Sequence, residues 1–259
     1  MKKTFRLVGL MLMAVTSFGF MSCGGDDDEP VISVSPTSVV MHYDESQQLK
    51  AEGTIATSWT VNDDYIASVD QTGLVKGRHI GSTQVKVSDG KTSAYCDVTI
   101  SPKYTLVDDP IMNWNVSKST IESSERHKFL SESGDYLMYD YSVGSRACIM
   151  MYGFKNNMLK SAMAVLNSSL FVTAGYYLLE RYQPIYIGDE NEFMYMDAMT
   201  DAKAKTLVLL SFQKLDGSTV TSILYADKNS LSSTRGIKDV LQIPEEVKEQ
   251  INKIFMTAK

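Results

Sequence analysis

The chain has 259 residues, of which 25 are Lys or Arg and 31 are Asp or Glu, giving a formal charge of −6 at pH 7. This length is enough for two domains of ordinary size. The basic residues form no cluster along the chain, and an acidic protein without a basic stripe binds polyanions poorly, which excludes nucleic acid as a partner.

The first 22 residues have the three-part pattern of a secretion signal. Basic residues come first, an apolar run follows over residues 7–20, and Ser22 precedes Cys23. The run is too short to cross about 30 Å of hydrocarbon comfortably as a permanent helix. Residues 20–23, Phe-Met-Ser-Cys, resemble the lipobox of bacterial lipoproteins. The resemblance implies cleavage before Cys23 and attachment of lipid to its thiol, so that the membrane becomes a partner.

Residues 23–30 are predicted to be an acidic tether. Four consecutive acids, Asp26 to Glu29, follow two glycines, and such a run favours solvent over a packed core. The stretch resembles the acidic segment after the lipid-bearing cysteine of outer-membrane lipoproteins that are exported to the cell surface. The location it implies is the outer membrane, lipid-anchored and facing outward. The alternative is a spacer that only keeps the protein soluble.

Residues 31–102 have the pattern of an antiparallel β-sandwich. About seven short alternating strands follow one another, with Asp89-Gly90 placed as a tight hairpin turn. Residues 68–77, Ser-Val-Asp-Gln-Thr-Gly-Leu-Val-Lys-Gly, resemble the bacterial Ig-like domain of group 2, and Trp59 matches the core tryptophan of that family. The resemblance implies an Ig-like fold. We expect the module to lie apart from the rest of the chain as a spacer.

Residues 103–259 are predicted to form an α+β domain, because apolar runs lengthen and helical periodicity appears after the boundary. Its predicted helices lie near 113–127, 169–182 and 244–256, and its predicted strands near 135–142, 146–155, 158–167, 192–199, 205–214 and 218–227.

Two segments of this domain are similar in order and spacing. Glu125-Arg126 and Glu180-Arg181 each precede a strand, "YLMYDYS" and "FMYMDAM", and then a hairpin, with turns predicted at Asn156-Asn157 and Asp216-Gly217. We therefore predict a duplicated helix-plus-three-strand unit, near 116–167 and 170–228, that forms one antiparallel sheet with helices on one face. This arrangement loosely resembles β-lactamase-inhibitor-like proteins and small outer-membrane assembly lipoproteins. Chance similarity among apolar strands is the alternative.

The domain has no sequence motif for catalysis, a cofactor or a metal. His127 is its only histidine, and nucleophile-elbow, P-loop and zinc-protease motifs are all missing from the sequence. The acidic turn at 189–192 lacks the alternating ligands of a calcium loop. Cys96 and Cys148 lie in apolar strands and are predicted to be unpaired core residues. We predict no catalytic, cofactor or metal residues and no enzyme activity.

Tyrosines are the remaining signal. In the strand "YLMYDYS", Tyr139 and Tyr141 share a face opposite Asp140, and this face is the predicted binding surface. The predicted function is a surface-anchored adhesion or binding protein, with the Ig-like module as spacer and an unknown glycan or protein as ligand. One alternative is a secreted hydrolase, or its accessory subunit, with a carboxylate site. Another is an inhibitor or envelope-assembly lipoprotein.

Overall fold

The computed structural model describes residues 31–187, 192–215 and 218–231, together with residues 245, 247–249 and 251. The predicted signal segment, Cys23 and the acidic tether lie outside the described residues. So do most of the acidic turn at 189–192, the predicted turn at 216–217 and most of the predicted helix 244–256.

The first nine strands build a sandwich. They are β1 (Ser33–Ser35), β2 (Ser38–Met41), β3 (Ser46–Gln48), β4 (Lys50–Glu52), β5 (Ser58–Val61), β6 (Ala67–Val69), β7 (Leu74–Gly77), β8 (Gly81–Ser88) and β9 (Ser93–Ile100). They form a four-stranded sheet in the order β2-β9-β8-β5, a three-stranded sheet β3-β7-β6 and the pair β1-β4. The pair β2-β9 is parallel, and the other pairs are antiparallel.

The core of the sandwich is formed by every second side chain of its strands. In β9, Cys96 and Val98 are buried while Asp97 between them is exposed, and Trp59 of β5 joins the same core. The β8–β9 hairpin turns at the predicted position, where Gly90 has a φ of +93°. Strands β3 and β4 are separated only by Leu49, yet β3 pairs with β7 whereas β4 pairs with β1.

The second domain is one eight-stranded antiparallel sheet with few helices. Its elements are α1 (Lys118–Ser124), β10 (Lys128–Ser133), β11 (Tyr136–Asp140), β12 (Cys148–Lys155), β13 (Met158–Asn167), α2 (Phe171–Leu179), β14 (Gln183–Ile187), β15 (Glu192–Met196), β16 (Thr206–Leu215) and β17 (Ser218–Asp227). The strand order is β10-β11-β12-β13-β17-β16-β15-β14. Two meanders of four strands, each preceded by a helix, therefore meet at β13 and β17.

The predicted three-strand unit is corrected to four strands in each meander. The additional strands, β10 and β14, are the two edges of the sheet. Each has a register irregularity, between Phe129 and Ser131 in β10 and between Pro184 and Tyr186 in β14. The first helix is also shorter than predicted, because the Ser117 hydroxyl caps it by accepting the N–H of Thr120.

Both faces of the sheet are buried, which corrects the prediction that helices cover one face only. On one face, Ile121 of α1 and Tyr177 of α2 pack in a core with Tyr152 of β12. On the other face, the helical residues Val247 and Ile251 pack in a second, methionine-rich core. The central strands need a cover on both faces of the sheet, because successive residues of a strand point to opposite faces and residues 148–154 of β12 are buried without interruption.

The sandwich contacts the second domain at the end of α2, which corrects the expectation that the Ig-like module lies apart from the rest of the chain. The Ile80 N–H donates to the carbonyl of Glu180 at 2.8 Å, and the Tyr65 hydroxyl donates to the carbonyl of Arg181 at 2.7 Å. The Glu180 carboxylate accepts the N–H groups of Lys103 and Tyr104, at 2.9 and 3.1 Å. Glu180 thus joins α2, the segment that follows β9, and the sandwich.

Candidate functional site

The two tyrosines that were predicted to form a binding surface, Tyr139 and Tyr141, are buried in the structure. Tyr139 is 3% exposed and Tyr141 is 2% exposed, both within the helix-bearing core. The Tyr139 ring packs edge-on against Phe129 and Tyr152, with centroids 5.6 and 5.9 Å apart. The prediction of an exposed tyrosine surface here is wrong, because the face that carries both rings is covered by helices.

Tyr141 instead belongs to a buried network around Glu125, the residue that ends α1. The Glu125 carboxylate accepts the hydroxyls of Tyr141 at 2.6 Å and Tyr152 at 2.7 Å, and also the backbone N–H of His127 at 3.0 Å. Burial raises the pKa of this carboxyl, but these hydrogen bonds outweigh it and hold the pKa at about 2. Glu125 is therefore a charged structural acceptor at neutral pH.

His127 is engaged at both ring nitrogens. Its Nδ1 lies 2.7 Å from the Glu125 carboxylate and its Nε2 lies 3.1 Å from the Asp108 carboxylate. The ring stacks on Tyr141 with centroids 3.6 Å apart. A general base needs a nitrogen that reaches the reacting proton. In this arrangement both nitrogens face carboxylates, so the imidazole links α1 to the segment before it.

A concave site lies between α2 and strands β14–β16, and we call it the α2 pocket. The sequence analysis did not predict this site. Its volume is about 400 Å³, and its walls include the aromatic residues Phe171, Tyr176, Phe193 and Tyr195. Aliphatic residues, Pro184, Met194 and Gly175 complete the wall, and none of these described lining residues carries a charge at neutral pH. Burial raises the pKa of Tyr195 to about 12, so this hydroxyl also stays neutral.

The α2 helix is apolar on both of its sides. Ala174, Tyr177 and Leu178 are buried against the sheet. On the other side, Val172 is 67% exposed and Tyr176 is 50% exposed, and both line the pocket. A surface helix ordinarily carries polar residues on its outer side. The sequence "FVTAGYYLL" already shows this departure, which is the signal that could have located the pocket.

A second cleft lies where the sandwich meets the eight-stranded domain. It has a volume of about 300 Å³ and is lined from one side by Lys76 and Arg78 and from the other by Gln183. The ammonium of Lys76 is paired with Asp44 at 2.6 Å. Its mixed polar wall offers little apolar surface for a ligand compared with the α2 pocket.

The remaining chemical groups give no metal centre among the described residues. Within residues 31–187, 192–215 and 218–231, no three His, Cys, Asp or Glu side chains are grouped closely enough to hold a metal ion. Cys96 and Cys148 are both buried and free, which confirms that these two do not pair.

No helix in the described part of the chain combines the length and apolar character needed to cross a membrane.

Comparison with known proteins identifies the family of the sandwich. Among solved structures, a protein described as a "putative glycoside hydrolase" from Bacteroides thetaiotaomicron aligns with 80% of this chain and 86% of its own, at 10% identity and a TM-score of 0.13. A TM-score that low does not establish a shared fold. No curated protein matches the sequence. Residues 30–100 match the family model of the bacterial Ig-like domain (group 2), and this segment of the chain is therefore a domain of that family.

Proposed function

We propose that this chain is a lipid-anchored binding protein of the bacterial cell surface that does not catalyse a reaction. The α2 pocket is the observation that carries the proposal. Ligand sites are concave, mostly apolar and about 300–1,000 Å³ in volume. The α2 pocket is within this range, at about 400 Å³.

The state of the titratable groups supports binding over catalysis. Glu125 and His127 are held by each other and by neighbouring groups, and Glu180 holds two backbone N–H groups and the Arg181 guanidinium. Each of these carboxylates already has its hydrogen-bond partners, as a structural acceptor does. The α2 pocket itself offers rings and methyl groups, which suit binding better than proton transfer.

We also propose the domain organisation that the sequence predicts, with a signal segment over 1–22, a tether over 23–30, the Ig-like module over 31–102 and the α+β domain over 103–259. The duplication is part of this proposal. Glu125 and Glu180 each end the helix of their unit, although Glu125 accepts the N–H of His127 close by in sequence and Glu180 accepts those of Lys103 and Tyr104. Equivalent placement of the repeated Glu-Arg pair supports a common origin of the two meanders.

The anchor is tested by metabolic labelling with palmitate. We expect the wild-type chain and a Cys96→Ala variant to incorporate label and the Cys23→Ala variant to incorporate none, because only Cys23 lies in the lipobox-like sequence. Protease added to intact cells should remove the folded domains of the wild type. Label retained by Cys23→Ala would contradict the anchor, whereas protection from protease would contradict only the surface location.

The binding function is tested with the mature chain, residues 23–259, carrying Cys23→Ala so that no detergent is needed. Panels of apolar small molecules, glycans and matrix proteins should yield at least one saturable ligand. A broad panel of hydrolase substrates should show no turnover. Turnover that survives repurification and disappears when one carboxylate is replaced would refute the proposal in favour of a hydrolase.

A further inference from the structure

We propose that the α2 pocket binds a small, uncharged, apolar molecule, in the form of a hydrocarbon chain or ring, and that Gly175 keeps the pocket open for it. This inference rests on the proposed binding function and specifies its ligand. It concerns one place on the molecule, where the middle of α2 faces β15 and β16.

Gly175 lies at the centre of α2, and helix formation does not favour glycine there. A glycine in a helix interior is about 1 kcal/mol less favourable than alanine. Its backbone is not in the left-handed region, so the local conformation does not require glycine. A Cβ built on Gly175 would lie 3.8 Å from the nearest side-chain atom, Cδ2 of Leu210, which is an ordinary van der Waals distance. Helix packing therefore does not require glycine either.

The absence of a side chain at Gly175 has one visible effect, which is to leave space in the pocket wall. Gly175 and Leu210 both line the pocket. A side chain at position 175 would project from the helix into that space. The residue that weakens the helix is thus the residue that preserves the volume of the pocket.

The walls of the pocket are fixed before any ligand arrives. The Phe171 ring stacks on Phe212 with centroids 4.1 Å apart, and the Tyr176 ring stacks on Tyr104 at 5.3 Å. Rings that are already held lose little conformational freedom when a ligand binds. Tyr176 and Val172 stay half or more exposed at the rim, so a ligand would cover apolar surface that now faces water.

The residues that line the α2 pocket indicate which chemical class of ligand it binds. Hydroxyl groups of a sugar that enter an apolar pocket lose their hydrogen bonds to water and gain few in return. A charged head group would meet no opposite charge among the described lining residues. A second copy of the chain would need about 800 Å² of matching surface on each partner for a standard interface, and a concavity suits a small molecule better.

The test uses N-phenyl-1-naphthylamine, an uncharged fluorescent aromatic probe, with the mature Cys23→Ala chain. We expect saturable fluorescence enhancement that 1-dodecanol displaces more effectively than dodecanoate does. Gly175→Leu should weaken binding of the probe at least tenfold by filling the pocket. Gly175→Ala should weaken it several-fold while its melting temperature stays equal to the parent's or rises. A further variant, Tyr176→Ser, removes a ring from the rim of the pocket. Tyr95→Ser is its matched control, because Tyr95 is 47% exposed in the sandwich and Tyr176 is 50% exposed at the pocket.

Each outcome of these experiments either supports or overturns the inference. Tyr176→Ser should weaken binding and Tyr95→Ser should not; equal effects would show non-specific adsorption and overturn the inference. Binding that Gly175→Ala and Gly175→Leu leave unchanged would overturn it as well, as would pocket-dependent self-association in sedimentation. Saturable binding of a glycan without probe binding would refute this ligand class and leave the proposed binding function standing. Failure of every panel would refute both.

Discussion

Replacing Glu180 by alanine should destabilise the folded chain by about 2–4 kcal/mol. The side chain is 1% exposed and accepts the N–H groups of Lys103 and Tyr104. Leaving a buried donor without its partner costs about 1–3 kcal/mol, and both N–H groups are only partly buried, so the lower half of that range applies to each. The guanidinium of Arg181, 2.6 Å from the carboxylate, also loses its nearest acid, although Asp109 remains 3.8 Å away.

For a chain of this size, such a loss corresponds to a fall of roughly 10 °C in melting temperature. Urea denaturation followed by circular dichroism measures the change in the free energy of unfolding. Glu122→Ala is the matched control, since Glu122 is exposed on α1 and its replacement should stay within about 0.5 kcal/mol. A Glu180→Ala variant as stable as Glu122→Ala would refute the reasoning. A single transition that splits into two would show that Glu180 couples the sandwich to the sheet.

Two further predictions concern the buried network. Tyr139→Ala and Tyr141→Ala should each lower the free energy of unfolding by about 3–5 kcal/mol, as deletion of a large core side chain does, whereas Tyr95→Ala should change it little. If urea denaturation showed the same loss for Tyr95→Ala as for the other two variants, the burial of Tyr139 and Tyr141 would be contradicted. Glu125 has a folded-state pKa of about 2, below its ordinary value of 4.5, so its contribution is present above about pH 4.5 and is lost as pH falls through 2. The urea midpoint of Glu125→Gln should therefore decrease less between pH 4.5 and 2 than that of the wild type, and parallel curves would contradict the assignment.

Strand patterns made much of the fold predictable. The run predicted near 158–167 is β13 (Met158–Asn167), and the run predicted near 218–227 is β17 (Ser218–Asp227). Both are long apolar strands in the middle of the sheet, where burial on two faces demands uninterrupted hydrophobic residues. The turn between β12 and β13 also followed from sequence, since Asn156 and Asn157 tolerate their positive φ angles.

The edge strands were not predictable in the same way. Strand β10 includes Lys128 and Glu132, and β14 includes Pro184, so neither shows a clean alternation. Charges, proline and irregular register are common at sheet edges, where only one neighbour supplies hydrogen bonds. Period-two patterns identify central strands better than edge strands for this reason.

The candidate site was missed because alternation gives two faces without saying what covers each. Tyr139 and Tyr141 do share a face, as predicted, but that face lies under the helices. Conversely, the exposure of Val172 and Tyr176 depends on how α2 is oriented on the sheet. Helical periodicity could not supply that orientation, because α2 carries apolar residues both against the sheet and away from it.

The irregular edges of the eight-stranded sheet have a consequence for the membrane anchor that we propose. Molecules tethered to one surface meet at high effective concentration, and a straight, unpaired strand edge would pair with the edge of a neighbour. In β10 the register shifts after Phe129, and in β14 it shifts after Pro184, a residue that has no N–H to donate. Each break interrupts the row of donors and acceptors that an incoming strand would follow. With the proposed anchor, crowded copies of the chain would therefore lie side by side without joining their sheets.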